Sequence, residues 1–243
     1  VKMMLFAGFL LVFILGFLIM FLFGKKYSLF EKIIFGMVLG LGILPLIMFF
    51  LGLLKISLNA FNILGIVIFM DLILVVLIYR RDRFKYLLRK PDFKVRNLKI
   101  LELILLGVIL FFVFSSLALN FYWPVFEWDA LSLYDFRALR FFETHSLAQP
   151  ILTSQLTSYN YSYPFFTSLI HVFVYLLGGK NPQFLYTIFY FLLLAVFYIF
   201  LRKKISQIWA LFFTASLATV PIFFLNSLIA YTNLAYVLYF TLA

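Results

Sequence analysis

The sequence predicts an all-α, polytopic transmembrane protein, and three observations predict it. Hydrophobic residues make up 66% of the 243 and charged residues only 12%, too little polar surface to coat a water-soluble globule. Mean hydropathy is +1.12. The apolar residues come in continuous runs of about 20, the length at which a helix crosses the hydrocarbon core of a bilayer. A β-barrel would show alternation in place of continuous runs.

The elements follow in order. Met3–Phe23 is an uncharged run ending in Gly24-Lys25-Lys26. It is long for the apolar part of a signal peptide and lacks a small-residue cleavage site, so it reads as a first span. Ile33–Leu54 is the second, Ile56–Tyr79 the third and Ile100–Leu119 the fourth. Gly36 and Gly40 form a GxxxG in the second span, a helix-packing signal from which no activity follows. Asp71 lies inside the third. An intramembrane carboxylate is costly and a functional hypothesis by default, but it could equally snorkel or pair with Arg80 or Lys85.

Orientation comes from the loop Arg80–Lys99, where nine basic residues face Asp82 and Asp92, a net +7 out of the chain's +11. The positive-inside rule makes this loop cytoplasmic. Topogenic charge and attraction to anionic lipid explain it, and no aromatic-interleaved pattern beside it points to nucleic acid. The N-terminus is then extracytoplasmic, and span four delivers the chain outside near Asn120. Three regions result: a three-span N-terminal part (1–79), the basic loop (80–99) and a membrane core (100–243) with a large outer loop at 120–178. There are no cysteines, which excludes disulfides, thiolate metal sites and cysteine nucleophiles.

Tyr163–Gly178 is apolar but short for a span. Were it to cross, Gln183–Leu201 would end outside with Arg202, Lys203 and Lys204, against the charge rule. It reads instead as a surface or re-entrant helix, opened by Pro164 and closed by Gly178-Gly179. Gln183–Leu201 then runs inward, Ile208–Leu225 returns outward, and Leu228–Ala243 enters the membrane again. The count is seven spans plus one interfacial helix. The sequence stops within the last segment, which reads as a fragment of a longer chain.

The outer loop Asn120–Tyr163 carries four of the nine acids, Glu127, Asp129, Asp135 and Glu143, together with Arg137 and Arg140. Its first half has amphipathic spacing. Leu131, Tyr134, Ala138, Phe141 and Phe142 share one face, while Asp135 and Arg137 point elsewhere and Arg140 reaches toward Asp135 and Glu143. One reading is an interfacial helix with solvated charges and an aromatic belt. The other starts from Trp128-Asp129, a few residues beyond the exit of span four and flanked by Phe121, Trp123 and Phe126. A partly desolvated carboxylate there suits a general base for a hydroxyl or amine acceptor. Tyr163-Pro164 and Tyr231-Thr232-Asn233 both open outer-side elements that can converge on it. His145 and His171 stand isolated, and a metal site would need more ligands at workable spacing. Asn160-Tyr161-Ser162 is a glycosylation sequon on the outer side.

"FEWDALSLYDFRALRFFETHSL", then "YSYPFFTSLIHVFVYLLGGKNPQF", a span ending "LRKK", and "AYTNLAYVLYF" together resemble the polytopic GT-C glycosyltransferases. The likeness is to the protein-mannosyltransferase and aminoarabinose-transferase type and its bacterial "WDA" relatives, and covers about 120–243. In that family the first outer loop carries the essential acid and two juxtamembrane helices follow, the second opened by Tyr-Pro. The resemblance implies a sugar moved from a polyprenyl-phosphate donor to a glycan, lipid or protein acceptor at the outer face, with inversion at the anomeric carbon. Asp129 falls at the catalytic acid, with Glu127 beside it. Arg137, with Arg140, falls where a cation would hold the donor phosphate, and Tyr163 opens the second helix. Asn233 stands where relatives often have aspartate, and Phe165-Phe166 follow Tyr-Pro where relatives commonly show another pair. No cofactor is implied, and metal dependence stays open. The alternative is a non-catalytic membrane protein, a transporter or a degenerate homologue serving in envelope assembly. A transporter would place polar residues near the midplane of broken helices, and this chain offers mainly Asp71.

Topology is directly testable because the chain has no native cysteine. A cysteine introduced at Ser154 is expected to react with an impermeant thiol reagent added outside intact cells, and one at Ser206 to react only after permeabilisation. The reverse pattern would invert the orientation.

Overall fold

The structure is a computed structural model that describes residues 2–24, 26–81, 99–147 and 163–242. Lys85, most of the basic loop, Ser154 and the Asn160 sequon lie outside the described residues. Every element described is helical. In chain order these are α1 (Lys2–Phe23), α2 (Leu29–Leu53), α3 (Ala60–Arg80), α4 (Ile100–Tyr122), a π-helix (Ala130–Asp135), α5 (Phe136–Thr144), α6 (Phe166–Leu176), α7 (Phe184–Arg202), α8 (Gln207–Thr219), α9 (Pro221–Asn226) and α10 (Asn233–Leu242). Five of them, α1, α2, α3, α4 and α7, are long and apolar enough to cross a membrane.

Two compact units divide the chain, and the division is not sequential. The first joins residues 1–90 to 127–182; the second joins 91–126 to 183–243. The short helices α5 and α6 therefore fold back onto the N-terminal three, across the seam that the basic loop suggests in the sequence.

In the first unit α1 lies against both α2 and α3. The α1–α2 contact is made by glycine. A methyl group on Gly16 would overlap the carbonyl of Gly36, and one on Gly40 the carbonyl of Val12. The two backbones touch where side chains would hold them apart, the close approach that small residues permit in apolar helix pairs. Ser28 caps α2 reciprocally with Glu31: Glu31 N–H donates to Ser28 Oγ (3.3 Å) and Ser28 N–H to Glu31 Oε2 (2.7 Å). Asn59 caps α3 through Oδ1, which accepts from Asn62 N–H at 2.8 Å.

The core of this unit gathers Val12 of α1, Met48 and Leu51 of α2, Ile63 of α3, Ala138 and Phe141 of α5, and Leu169 and Phe173 of α6. This changes the status of α6. The sequence reads it as a helix on the membrane surface or re-entrant, but Thr167 through Val174 are all buried. Buried on every side, it is an interior helix of this unit and not a surface one, which a re-entrant position allows, and at 11 residues it is about 16 Å long, too short to cross. Its end follows the glycine rule: Gly178 takes φ 82°, and Gly179 N–H closes onto the Val174 carbonyl at 2.9 Å.

In the second unit α4, α7, α8 and α10 pack with α7 as the common neighbour of α4, α8 and α10. A buried polar cluster stitches them. Asn120 of α4 donates through Nδ2 to Thr187 Oγ1 of α7 (2.8 Å) and to the Ser227 carbonyl (2.7 Å), and Ser227 Oγ donates to Ser116 Oγ (2.8 Å). Each group finds its partner inside the bundle, as polar groups in an apolar medium must. The sequence treats Ile208–Leu225 as one helix. The structure breaks it into α8 and α9 at Val220, because Pro221 lacks the N–H that would continue the ladder and takes the first position of a new helix. The last helix starts at Asn233, five residues later than the apolar run does.

Replacing Gly40 by leucine is expected to force α1 and α2 apart and cost about 1–3 kcal/mol or more. A thermal-unfolding midpoint in detergent that does not fall would contradict the glycine contact.

Candidate functional site

The segment of the first unit from Glu127 to Thr144 is built on a change of helical pitch. Leu131 N–H bonds to the Glu127 carbonyl at 2.8 Å, an ordinary α turn. The chain then widens, and Phe136 N–H bonds back to the Leu131 carbonyl, an i to i+5 step. Single π turns inside α-helices recur at functional sites. Here the wide turn runs from just after Asp129 to Asp135.

The structure places Arg137 in the interior, with 0% of its surface exposed. Its guanidinium binds α6 and the turn before it. Nε donates to Ser168 Oγ (2.8 Å), Nη1 to the Tyr163 carbonyl (2.9 Å) and Nη2 to the Pro164 carbonyl (2.7 Å). Its plane also lies over the Phe165 ring, 4.8 Å from the centroid. Ser168 Oγ passes the interaction on by donating to the Tyr134 carbonyl at 2.8 Å. Arg137 and Tyr163, two residues expected to bind substrate, are thus brought together, but through the Tyr163 backbone. The Tyr163 ring meets Tyr134 edge-to-face at 6.3 Å.

Asp135 is the second departure from the amphipathic reading. It is 8% exposed. Its Oδ1 accepts from His171 Nδ1 at 2.9 Å and from the Tyr175 hydroxyl. His171 Nδ1 and the Tyr175 hydroxyl thus meet at one carboxylate oxygen. Burial first, and then the hydrogen bond to and charge of Asp135, push the Tyr175 phenol well above the ordinary tyrosine range. His171 is therefore a partner of Asp135, where the sequence left it isolated. His145 is not isolated either. It ends α5 in the left-handed region (φ 51°), its carbonyl accepts from Leu58 N–H at 2.7 Å, and its Nδ1 lies 3.0 Å from the Leu58 carbonyl. These bonds clasp the α2–α3 connection to the end of α5.

Two sequence expectations for this face are corrected. Leu131, expected inside, is exposed, and Asp135 and Arg137, expected outside, are buried. Side-chain hydrophobicity ranks leucine ahead of arginine, but a fully hydrogen-bonded guanidinium can be buried when acceptors converge on it. The acceptors come from a segment more than 25 residues further along the chain. A signal for the partners of Arg137 and Asp135 exists in the sequence: Ser168, which meets Arg137, and His171 and Tyr175, which meet Asp135, stand at i, i+3 and i+7, a polar stripe on α6.

The remaining candidates stay outside this network. Asp129 and Glu127 are both partly exposed, at the head of the π-helix beside Trp128, which is 81% exposed. Neither carboxylate makes a hydrogen bond or ion pair to a described residue. Arg140 pairs with Glu143 at 3.1 Å, with 37% of its side chain exposed, and lies over the Phe136 ring. It sits 11 residues beyond Asp129, about 16 Å along the axis. Asn233 belongs to the second unit, where Nδ2 donates to Asn226 Oδ1 at 2.8 Å. No group of three or more metal-ligating side chains occurs among the described residues. Chemically, the segment offers an accessible carboxylate pair on a platform fixed from below by Arg137 and Asp135. The chain matches no protein-family model, and no curated protein or solved structure matches it.

Two outcomes test the platform. Arg137→Met leaves the buried Ser168 hydroxyl and two part-buried carbonyls without their donor and is expected to cost about 1–3 kcal/mol; an unfolding midpoint equal to wild type would remove Arg137 from that role. The second concerns pH. A phenol that is harder to ionise in the folded state than in the unfolded contributes stability that is complete below pH ~10, the ordinary tyrosine value, and is lost as pH rises above it. The stability advantage of wild type over Tyr175→Phe should therefore shrink above that pH, and an advantage that grows there would exclude the Asp135–Tyr175 bond.

Proposed function

We propose that the protein is a multi-pass membrane glycosyltransferase of the GT-C type, moving a sugar from a polyprenyl-phosphate donor to an acceptor at the extracytoplasmic face. The observation that carries this reading is the arrangement at the head of the π-helix. Asp129 is accessible and unengaged, while the residues just behind it are locked into the interior of the first unit. A general base needs that combination, a free carboxylate on a support that does not move. The order of elements also agrees with the resemblance: an acid, a first short helix, Tyr-Pro, a second short helix, then a long apolar helix ending in basic residues.

In this reading Asp129 takes the proton of the acceptor hydroxyl or amine. The freed lone pair forms the new bond to the anomeric carbon as the bond to the phosphate oxygen breaks, and the polyprenyl phosphate leaves with that electron pair. Glu127, two residues away, adds to the negative rim that orients the acceptor. Arg140, too distant along the helix to touch the same phosphate oxygen, steers the anionic donor. Arg137 holds the platform and does not meet the donor. The seven-span topology belongs to this proposal, with α8–α9 and α10 continuing the sixth and seventh crossings and residues 120–178 outside.

A second reading has one specific observation in its favour. The guanidinium that would neutralise the leaving phosphate is consumed inside the protein, which suits a non-catalytic relative acting in envelope assembly. One experiment separates the two. Membranes carrying the protein are given labelled polyprenyl-phosphate sugars, and transfer is compared between wild type and Asp129→Asn after both are shown to elute as folded, monodisperse protein. Catalysis predicts a loss of about 10²-fold or more. Transfer by Asp129→Asn at the wild-type rate would sink the base assignment, and no transfer by wild type with any such donor would leave the non-catalytic reading.

A further inference from the structure

One buried ionisable group takes no part in the outer-loop network. Asp71 lies in α3, nine residues before Arg80, or about 14 Å from that end of the helix. The buried face of α3 is a single stripe of Ile63, Val67, Asp71 and Ile78, with Leu74 packed alongside, turned chiefly toward α1. Every member except Asp71 is apolar. Asp71 is 7% exposed, and neither carboxylate oxygen has a hydrogen-bond partner among the described residues. Snorkelling and pairing with Arg80 are both absent, since the oxygens are sealed and Arg80 is exposed at the helix end; the third alternative, Lys85, lies outside the described residues.

The neighbouring elements explain why no partner is at hand. Between Met3 and Phe23, α1 contains no charged, hydroxyl or amide side chain. The only charged groups of α2 are Glu31 and Lys32 in its first turn; Glu31 is held in the Ser28 cap, and Lys32 lies over the Phe21 ring at 5.1 Å. On α3 itself the other titratable groups are Tyr79 and Arg80, at its end. A bare carboxylate sealed among such groups would lack both counter-charge and donors, a far less favourable state than the neutral acid. A metal cation would need several oxygen ligands, and the stripe supplies none besides this side chain. A proton needs only the carboxyl.

We propose that Asp71 is a proton-binding site within the membrane, a neutral acid sealed between α1 and α3 whose ionisation requires the two helices to part. The ligand is the proton, and the consequence is a link between proton loading and the α1–α3 contact. The link does not depend on any chemistry at Asp129.

The protein in lipid vesicles at neutral pH tests it. The infrared difference spectrum of wild type against Asp71→Asn should show loss of a protonated-carboxyl C=O stretch, and Asp71→Glu should retain such a band at a shifted frequency. A difference confined to carboxylate stretches would overturn the proposal. The coupling has its own readout. Val67, buried one turn away on the same stripe, is replaced by cysteine in the wild-type and Asp71→Asn backgrounds, and maleimide labelling is followed as pH rises. Labelling is expected to increase several-fold more in the Asp71 background, the Asn background supplying the thiol's own pH dependence. Parallel curves would overturn the link between ionisation and helix separation.

Discussion

The first unit depends on one guanidinium. Arg137 joins three acceptors from the segment that opens α6 and, through Ser168, reaches back to the carbonyl of Tyr134 one turn away. An arginine fits because its donors diverge from three nitrogens in a fixed plane; a lysine ammonium, whose three donors leave a single nitrogen, does not match acceptors spread around that plane. The cost of removing a cation from water is offset by charge-assisted bonds and by the Phe165 ring beneath it. The short helices α5 and α6 cannot hold a defined position by length alone, since isolated helices of about ten residues are marginal. Arg137 and the Asp135–His171–Tyr175 group give their contact a definite register, and the apolar packing of Phe141, Leu169 and Phe173 fills the space around them.

The same constraint shapes the candidate site. The charged residues from Glu127 to Arg140 divide into two sets. Asp135 and Arg137 are consumed by the interior, while Glu127, Asp129 and Arg140 stay accessible. The wide turn lies between Asp129 and Arg137, at the junction of the two sets. The segment thus combines buried polar bonds with a carboxylate, Asp129, that stays partly exposed. Asp71 follows the opposite logic, since it is buried with nothing to bond to, and a proton is the one partner that its surroundings admit.

The α1–α2 pair shows what a sequence motif can and cannot convey. Gly36 and Gly40 mark a close-packing face in α2, and the structure uses it. The sequence does not say which helix would occupy it. Gly16 of α1 does so because it also lacks a side chain where the backbones meet.

By itself the sequence determined the helical class, the long apolar helices, the glycine packing face and the segment 120–163 as a place where carboxylates and arginines interrupt the apolar runs. These are local properties: run length, periodicity and composition are read within about 20 residues. The tertiary structure alone decided which charges face inward. Ser168 lies 31 residues from Arg137, and Tyr175 lies 40 from Asp135, so no local window contains both partners. Leu131 and Arg137 exchanged their expected places for that reason. Hydrophobicity belongs to single side chains, whereas the satisfaction of a buried polar group belongs to pairs that only the folded chain brings together. The break at Pro221 was legible as a proline and was hidden by the apolar run around it. The enclosure of α6 was not legible, because an apolar helix looks the same to its own sequence whether lipid or protein surrounds it.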